Sequence, residues 1–145
     1  MLRLEHIGIA VKDLKASNEL FKKLLGSGHY KIEEVGPENV LTSFFKTGEA
    51  KVELLEATSP DSPIAKFIEK RGEGIHHIAF EVADIRLEME RLENEGFTLL
   101  NKLPKLGADN KLVCFLHPKP ANGVLVELCQ TISNDIKPPP TNSNP

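Results

Sequence analysis
The chain has 145 residues, of which 40% are hydrophobic and 27% charged, with a formal net charge of −3. That length suffices for one core of useful size. The slight acidity, with lysines scattered along the chain, excludes the basic stripe that nucleic acid or an anionic membrane would select. No apolar run is long enough to span a bilayer, and a strand pattern begins almost at Met1, so the expected location is the cytoplasm.

In chain order, residues 3–11 alternate as a strand, with Leu4, His6, Gly8 and Ala10 on one face. Ile7, Ile9 and Val11 form a bulky opposite face suited to packing under helices. Asp13 then reads as an N-cap, Leu14, Leu20, Phe21, Leu24 and Leu25 as a helical stripe, and Gly26 as the stop. Strand-like runs follow near 30–35, 40–46 and 50–56, separated by Gly-Pro and Thr-Gly breaks. Ser62-Pro63 starts a connecting helix that runs to about Lys70.

The order then repeats. A strand is expected at 75–82, followed by an Asp84 cap, a helix carrying Ile85, Met89 and Leu92, and a stop at Gly96. Further strands are expected near 97–101, 111–117 and 123–130. The reading is therefore an α+β fold of two paired βαβββ modules, about 3–58 and 74–130, joined by a helical connector at 59–73. The two modules are expected to form one domain over 1–131, shaped as a half-closed, barrel-like sheet around a metal site. The tail from 132 to 145, with three consecutive prolines among Asn and Ser, lacks the residues to build a core and is expected to be flexible.

The repeat also duplicates chemistry. His6-Ile-Gly-Ile-Ala-Val-Lys-Asp13 reappears as His77-Ile-Ala-Phe-Glu-Val-Ala-Asp84. Each copy ends on an apolar strand pattern with one glutamate, Val52-Glu53-Leu54-Leu55 and Val126-Glu127-Leu128-Cys129. A carboxylate in such a strand is costly unless it is paired. Gly8 and Ala79, two places after each histidine, are small, which suggests that the histidine face lines a hollow. Taken singly, each residue also fits a hydrogen-bonded core histidine or a solvated edge glutamate. Their duplication favours a metal centre of His6, Glu53, His77 and Glu127 where the halves meet.

Two imidazoles and two carboxylates balance a divalent ion and leave octahedral positions for other ligands. With no thiolate in the set, the expected ion is of intermediate hardness: Co²⁺ first, with Mn²⁺, Ni²⁺ or Zn²⁺ as alternatives. His76 should alternate away from the site, and His117 ends a strand within reach of a substrate. Cys114 and Cys129, without a C-x-x-C spacing, read as buried small hydrophobes.

The paired modules with His…Glu…His…Glu resemble the vicinal-oxygen-chelate (glyoxalase/bleomycin resistance) superfamily, which includes glyoxalase I, extradiol dioxygenases and methylmalonyl-CoA epimerases. Asp61-Ser-Pro-Ile-Ala-Lys-Phe67, Gly74-Ile-His-His-Ile78, Phe115-Leu-His-Pro-Lys119 and Gly123-Val-Leu-Val-Glu-Leu128 are similar to the epimerase branch. This resemblance implies interconversion of (R)- and (S)-methylmalonyl-CoA by removing and returning a proton through a metal-stabilised enolate. It further implies an acyl-CoA substrate, a homodimer, and the four metal positions already named. Glu38, in Gly36-Pro37-Glu38-Asn39, matches one catalytic base of that branch, and Glu127 is assigned as the other.

One departure is visible: Gly107-Ala108-Asp109-Asn110 stands where many epimerases have Gly-Ala-His-Gly. The alternatives are a glyoxalase I-type lactoylglutathione lyase and a non-catalytic small-molecule binder of the same fold.

Overall fold
The computed structural model describes residues 1–133, and the tail expectation falls almost wholly outside them. Strand β1 (Arg3–Ala10) is followed by helix α1 (Leu14–Leu25) and strands β2 (Lys31–Val35), β3 (Val40–Thr47) and β4 (Ala50–Ala57). Helix α2 (Pro63–Arg71) leads to β5 (Gly74–Glu81), α3 (Ile85–Asn94), β6 (Lys105–Leu106), β7 (Lys111–Leu116) and β8 (Val126–Thr131). All eight strands join one curled sheet in the order β2-β3-β4-β1-β5-β8-β7-β6. No helix among the described residues is long and apolar enough to cross a membrane.

The helices start and stop where their sequence signals stand. Asp13 accepts a hydrogen bond from the Ala16 N–H, Asp84 from the Leu87 N–H, and Ser62 from the Ile64 N–H ahead of Pro63. Each satisfies an N–H with no partner inside the helix. Gly26 ends α1 with φ +84°, a left-handed conformation that suits glycine.

Within each half the last strand lies parallel to the first, β4 beside β1 and β8 beside β5, while the intervening strands form an antiparallel meander. The halves meet along the antiparallel pair β1/β5. This gives the sheet an approximate two-fold relation through its centre. Helices cover the outer face: Val82, Ile85, Met89, Leu92, Leu112, Cys114, Leu116 and Leu128 form one buried cluster. Val11, Leu14, Phe45 and Leu54 form its counterpart, flanked by Ile9, Phe21 and Leu25.

Three expectations are corrected. Leu20 and Leu24 are exposed, at 62% and 70%, because the buried stripe of α1 runs through Leu14 and Asn18 toward Phe21 and Leu25. The strand expected at 97–101 shrinks to a single bridge, Leu99 to Leu116, and pairing resumes only in the two-residue β6. The strand expected from 123 starts at Val126, since Lys119–Ala121 form a 3-10 turn that continues into the left-handed residues Asn122 and Gly123.

Leu128, fully buried beneath α3, anchors the second cluster. Leu128→Ala is expected to lower stability by about 2–5 kcal/mol in urea titration, the usual cost of a core cavity. Cys114 and Cys129 are buried, and burial pushes the Cys114 thiol up to about 11. Both should resist a thiol reagent in the native protein and react once it is unfolded.

Candidate metal centre
The β1/β5 register fixes what meets at the centre of the sheet. His6 lies opposite Ala79, and Gly8 opposite His77. Outward from these pairs, Glu127 sits beside Ala79 and Glu53 beside Gly8. A small residue thus separates each histidine from a glutamate two strands away, and the long side chains converge over it. The fit is tight at Gly8, where a methyl group would stand 2.5 Å from His77 Nδ1 and 2.7 Å from Nε2.

All four of these histidine and glutamate residues are buried, at 4–7% exposure. His6 Nε2 lies 2.9 Å from His77 Nε2. Glu127 Oε2 lies 3.0 Å from the first of these nitrogens and 3.1 Å from the second. Three donor atoms so spaced match adjacent corners of an octahedron with bonds of about 2.1 Å.

Glu127 Oε2 is buried and completes no hydrogen bond with any described residue, an arrangement that is costly without a cation. Two imidazole nitrogens and a carboxylate oxygen, with no thiolate, suit a divalent ion of intermediate hardness. The residues present therefore fit such an ion.

Glu53 takes a different place within the same cluster. Its Oε2 is 2.9 Å from His6 Nδ1, on the far edge of the ring from His77 and Glu127. His6 thus belongs to two potential ligand groups, one with His77 and Glu127, the other with Glu5 and Glu53.

The electrostatics tell of negative charge in excess. Burial disfavours a charged His6 ring, but the carboxylates of Glu127, Glu5 and Glu53 outweigh it and hold the ring well above the ordinary histidine pKa. Burial likewise raises the Glu127 carboxyl, yet the two imidazoles hold it far below the usual carboxylate range.

Two residues that sequence alternation sends elsewhere also reach this site. Along the β1/β5 pairing Leu4 faces Phe80, His6 faces Ala79, Gly8 faces His77 and Ile9 faces Ile75, so Glu5 and His76 have no opposite number. Each is the extra residue of a β-bulge, which re-aims a side chain. Glu5 is 1% exposed, and His76 lines the cavity instead of pointing away from it.

The cavity, about 280 Å³, opens between the two ends of the sheet. Glu38 lines it, held on a 3-10 turn (Gly36–Glu38) with Pro37 in its first positions and left-handed Asn39 at its end. Lys105 Nζ reaches Glu38 Oε1 at 2.6 Å from the opposite sheet end. The Gly107-Ala108-Asp109-Asn110 loop closes the same gap: Asp109 meets Lys31 at 2.7 Å and Lys51 at 2.5 Å, and its N–H donates to Glu33. His117 stays at the end of β7, where Nδ1 accepts the Lys119 N–H.

The family model described as the glyoxalase/bleomycin resistance protein/dioxygenase superfamily matches residues 5–115, and the chain belongs to that superfamily. It is 42% identical over 130 residues to the ethylmalonyl-CoA/methylmalonyl-CoA epimerase of Cereibacter sphaeroides, covering 88% of this chain and 97% of that one. It is 40% identical over 129 residues to the mitochondrial methylmalonyl-CoA epimerase of Homo sapiens, covering 88% and 73% respectively. A variant of Streptomyces coelicolor methylmalonyl-CoA epimerase, solved with 2-nitronate-propionyl-CoA, superposes with TM-score 0.88 at 34% identity, covering 92% of this chain and 99% of that one.

Because the His77 ring lies against the bare Cα of Gly8, Gly8→Ala is expected to push that ring away from His6 and Glu127. Calorimetric titration with Co²⁺ should show at least a tenfold loss of affinity relative to wild type, with the fold intact by circular dichroism.

Proposed function
We propose that this member of the superfamily is a metal-dependent epimerase that interconverts (R)- and (S)-methylmalonyl-CoA. The observation that carries the reading is the meeting of His6 Nε2, His77 Nε2 and Glu127 Oε2, within 3.1 Å of one another, in a cavity that Glu38 also lines. The epimerases that resemble this chain over most of its length support it.

His6, His77 and Glu127 would hold the ion, with Glu53 against the same His6 ring. Cobalt is the first choice, with manganese, nickel or zinc as alternatives. Removing a proton about ten pKa units weaker than its base costs about 14 kcal/mol, at 1.36 kcal/mol per unit. When bound, the ion supplies Lewis-acid stabilisation of negative charge developing on a thioester or carboxylate oxygen.

The residues of the chain handle the proton. Glu38 comes from the first module and Glu127 from the second, so two carboxylates border one cavity. Inversion needs a base on each face of the carbon: one carboxylate takes the proton and the other returns one. Lys105 fixes Glu38 at the rim, which limits the rotamers through which that base must search. Largely apolar walls, including Val40, Leu55, Ile64 and Phe115, keep water from competing for the proton. The resemblance also favours a homodimer, which sedimentation tests, and cell fractionation tests the cytoplasmic location expected from the sequence.

Incubation with methylmalonyl-CoA in deuterated buffer should place deuterium at the α-carbon and racemise it. Activity only on the methylglyoxal–glutathione hemithioacetal would replace this reading with a lactoylglutathione lyase, and metal-free binding without turnover with a binder. Glu38→Gln should lower kcat by roughly 10²–10⁴-fold at unchanged metal content. Chelation should abolish turnover, and cobalt should restore it.

A further inference from the structure
The two bulges at the module junction carry a consequence for the histidines they adjoin. Glu5 Oε1 lies 3.0 Å from Nδ1 of His6, the residue after it. His76 Nδ1 lies 2.9 Å from Nδ1 of His77, the residue after it. In both halves the residue left out of the strand register therefore folds back onto the Nδ1 edge of the neighbouring imidazole. The two Nε2 atoms, freed from that duty, face each other at 2.9 Å.

Each partner is itself held in place. Glu5 is buried, with Lys51 at 3.1 Å, and Lys51 is braced in turn by Asp109. An ionised carboxylate can only accept, so the proton in the Glu5 contact belongs to His6 Nδ1. His76 packs edge-on against Phe67, with ring centroids 5.0 Å apart. A neutral imidazole offers one ring nitrogen as an acceptor, and in His76 the nitrogen that faces His77 is Nδ1.

We propose that Glu5 and His76 are positioning residues that take the Nδ1–H of His6 and His77, fixing both rings in the tautomer whose Nε2 lone pairs point at a shared cation. The inference rests on the metal reading of the site and adds the device that orients its histidines. It also gives Glu53 a freedom it would otherwise lack. With the His6 Nδ1–H satisfied by Glu5, Glu53 is not needed there and its carboxylate is available to the ion. A hydrogen-bonded partner on the second ring nitrogen is the general means by which proteins set ligand tautomer and basicity, and its loss costs about 10–100-fold in metal affinity.

The test compares removal with conservative replacement at both positions. Glu5→Ala and His76→Leu remove the acceptor, whereas Glu5→Gln and His76→Asn keep an oxygen near its place. Cobalt affinity, measured against a competing chelator, should fall about 10–100-fold in the first pair and stay within about threefold of wild type in the second. The visible cobalt spectrum should change in the first pair only. In zinc-loaded wild type, ¹⁵N chemical shifts should report a protonated Nδ1 on both His6 and His77, a readout that survives should a variant fail to fold. Wild-type protein that takes up no ion would overturn the metal reading and this inference together. Normal uptake with undiminished affinity in Glu5→Ala and His76→Leu, or an Nε2–H tautomer in either ring, would overturn this inference alone.

Discussion

The site depends on the antiparallel pairing of β1 with β5. Antiparallel alignment of two copies of one sequence places equivalent residues about a two-fold axis, so one histidine per copy becomes a facing pair without any further instruction. His6 opposite Ala79 and Gly8 opposite His77 are two expressions of that single register. Slipping one strand by a single residue would turn its histidine to the helix-covered face and break up the facing pair. The flanking parallel pairs, β1 with β4 and β5 with β8, extend the relation to Glu53 and Glu127. Four strands thus fix the backbone of the centre, and the helices stabilise it by burying the opposite side.

What the centre gains from its surroundings is electrical. Three carboxylates, Glu5, Glu53 and Glu127, crowd two imidazoles, with the ammonium of Lys51 against Glu5 and that of Lys111 also acting on it. Burial makes that excess of negative charge expensive, and a cation relieves it.

Much of this was legible in the sequence because duplication is a pattern in the chain and not a property of its packing. The repeated histidine strand, the aspartate caps and the glycine stops follow local rules that tertiary context did not override. The ladder through 97–101 was not legible, since Phe97 and Leu99 pack into the α3 cluster as loop residues and look the same as strand residues on paper. Nor were Glu5 and His76: strict alternation sends them away from the histidine face, and only a bulge brings them back. Leu20 and Leu24 misled for a simpler reason, as apolar residues spaced four apart mark a stripe without saying whether anything covers it.

The rim of the cavity differs in kind from its floor. The floor is a hydrogen-bonded sheet, while across the opening the two sheet ends are joined by side-chain charges, Glu38 to Lys105 and Asp109 to Lys31 and Lys51. The more exposed of these pairs, Glu38 with Lys105, is worth about 0–1 kcal/mol, little more than thermal energy. The covering of the cavity is therefore held together by weaker means than the foundation beneath it.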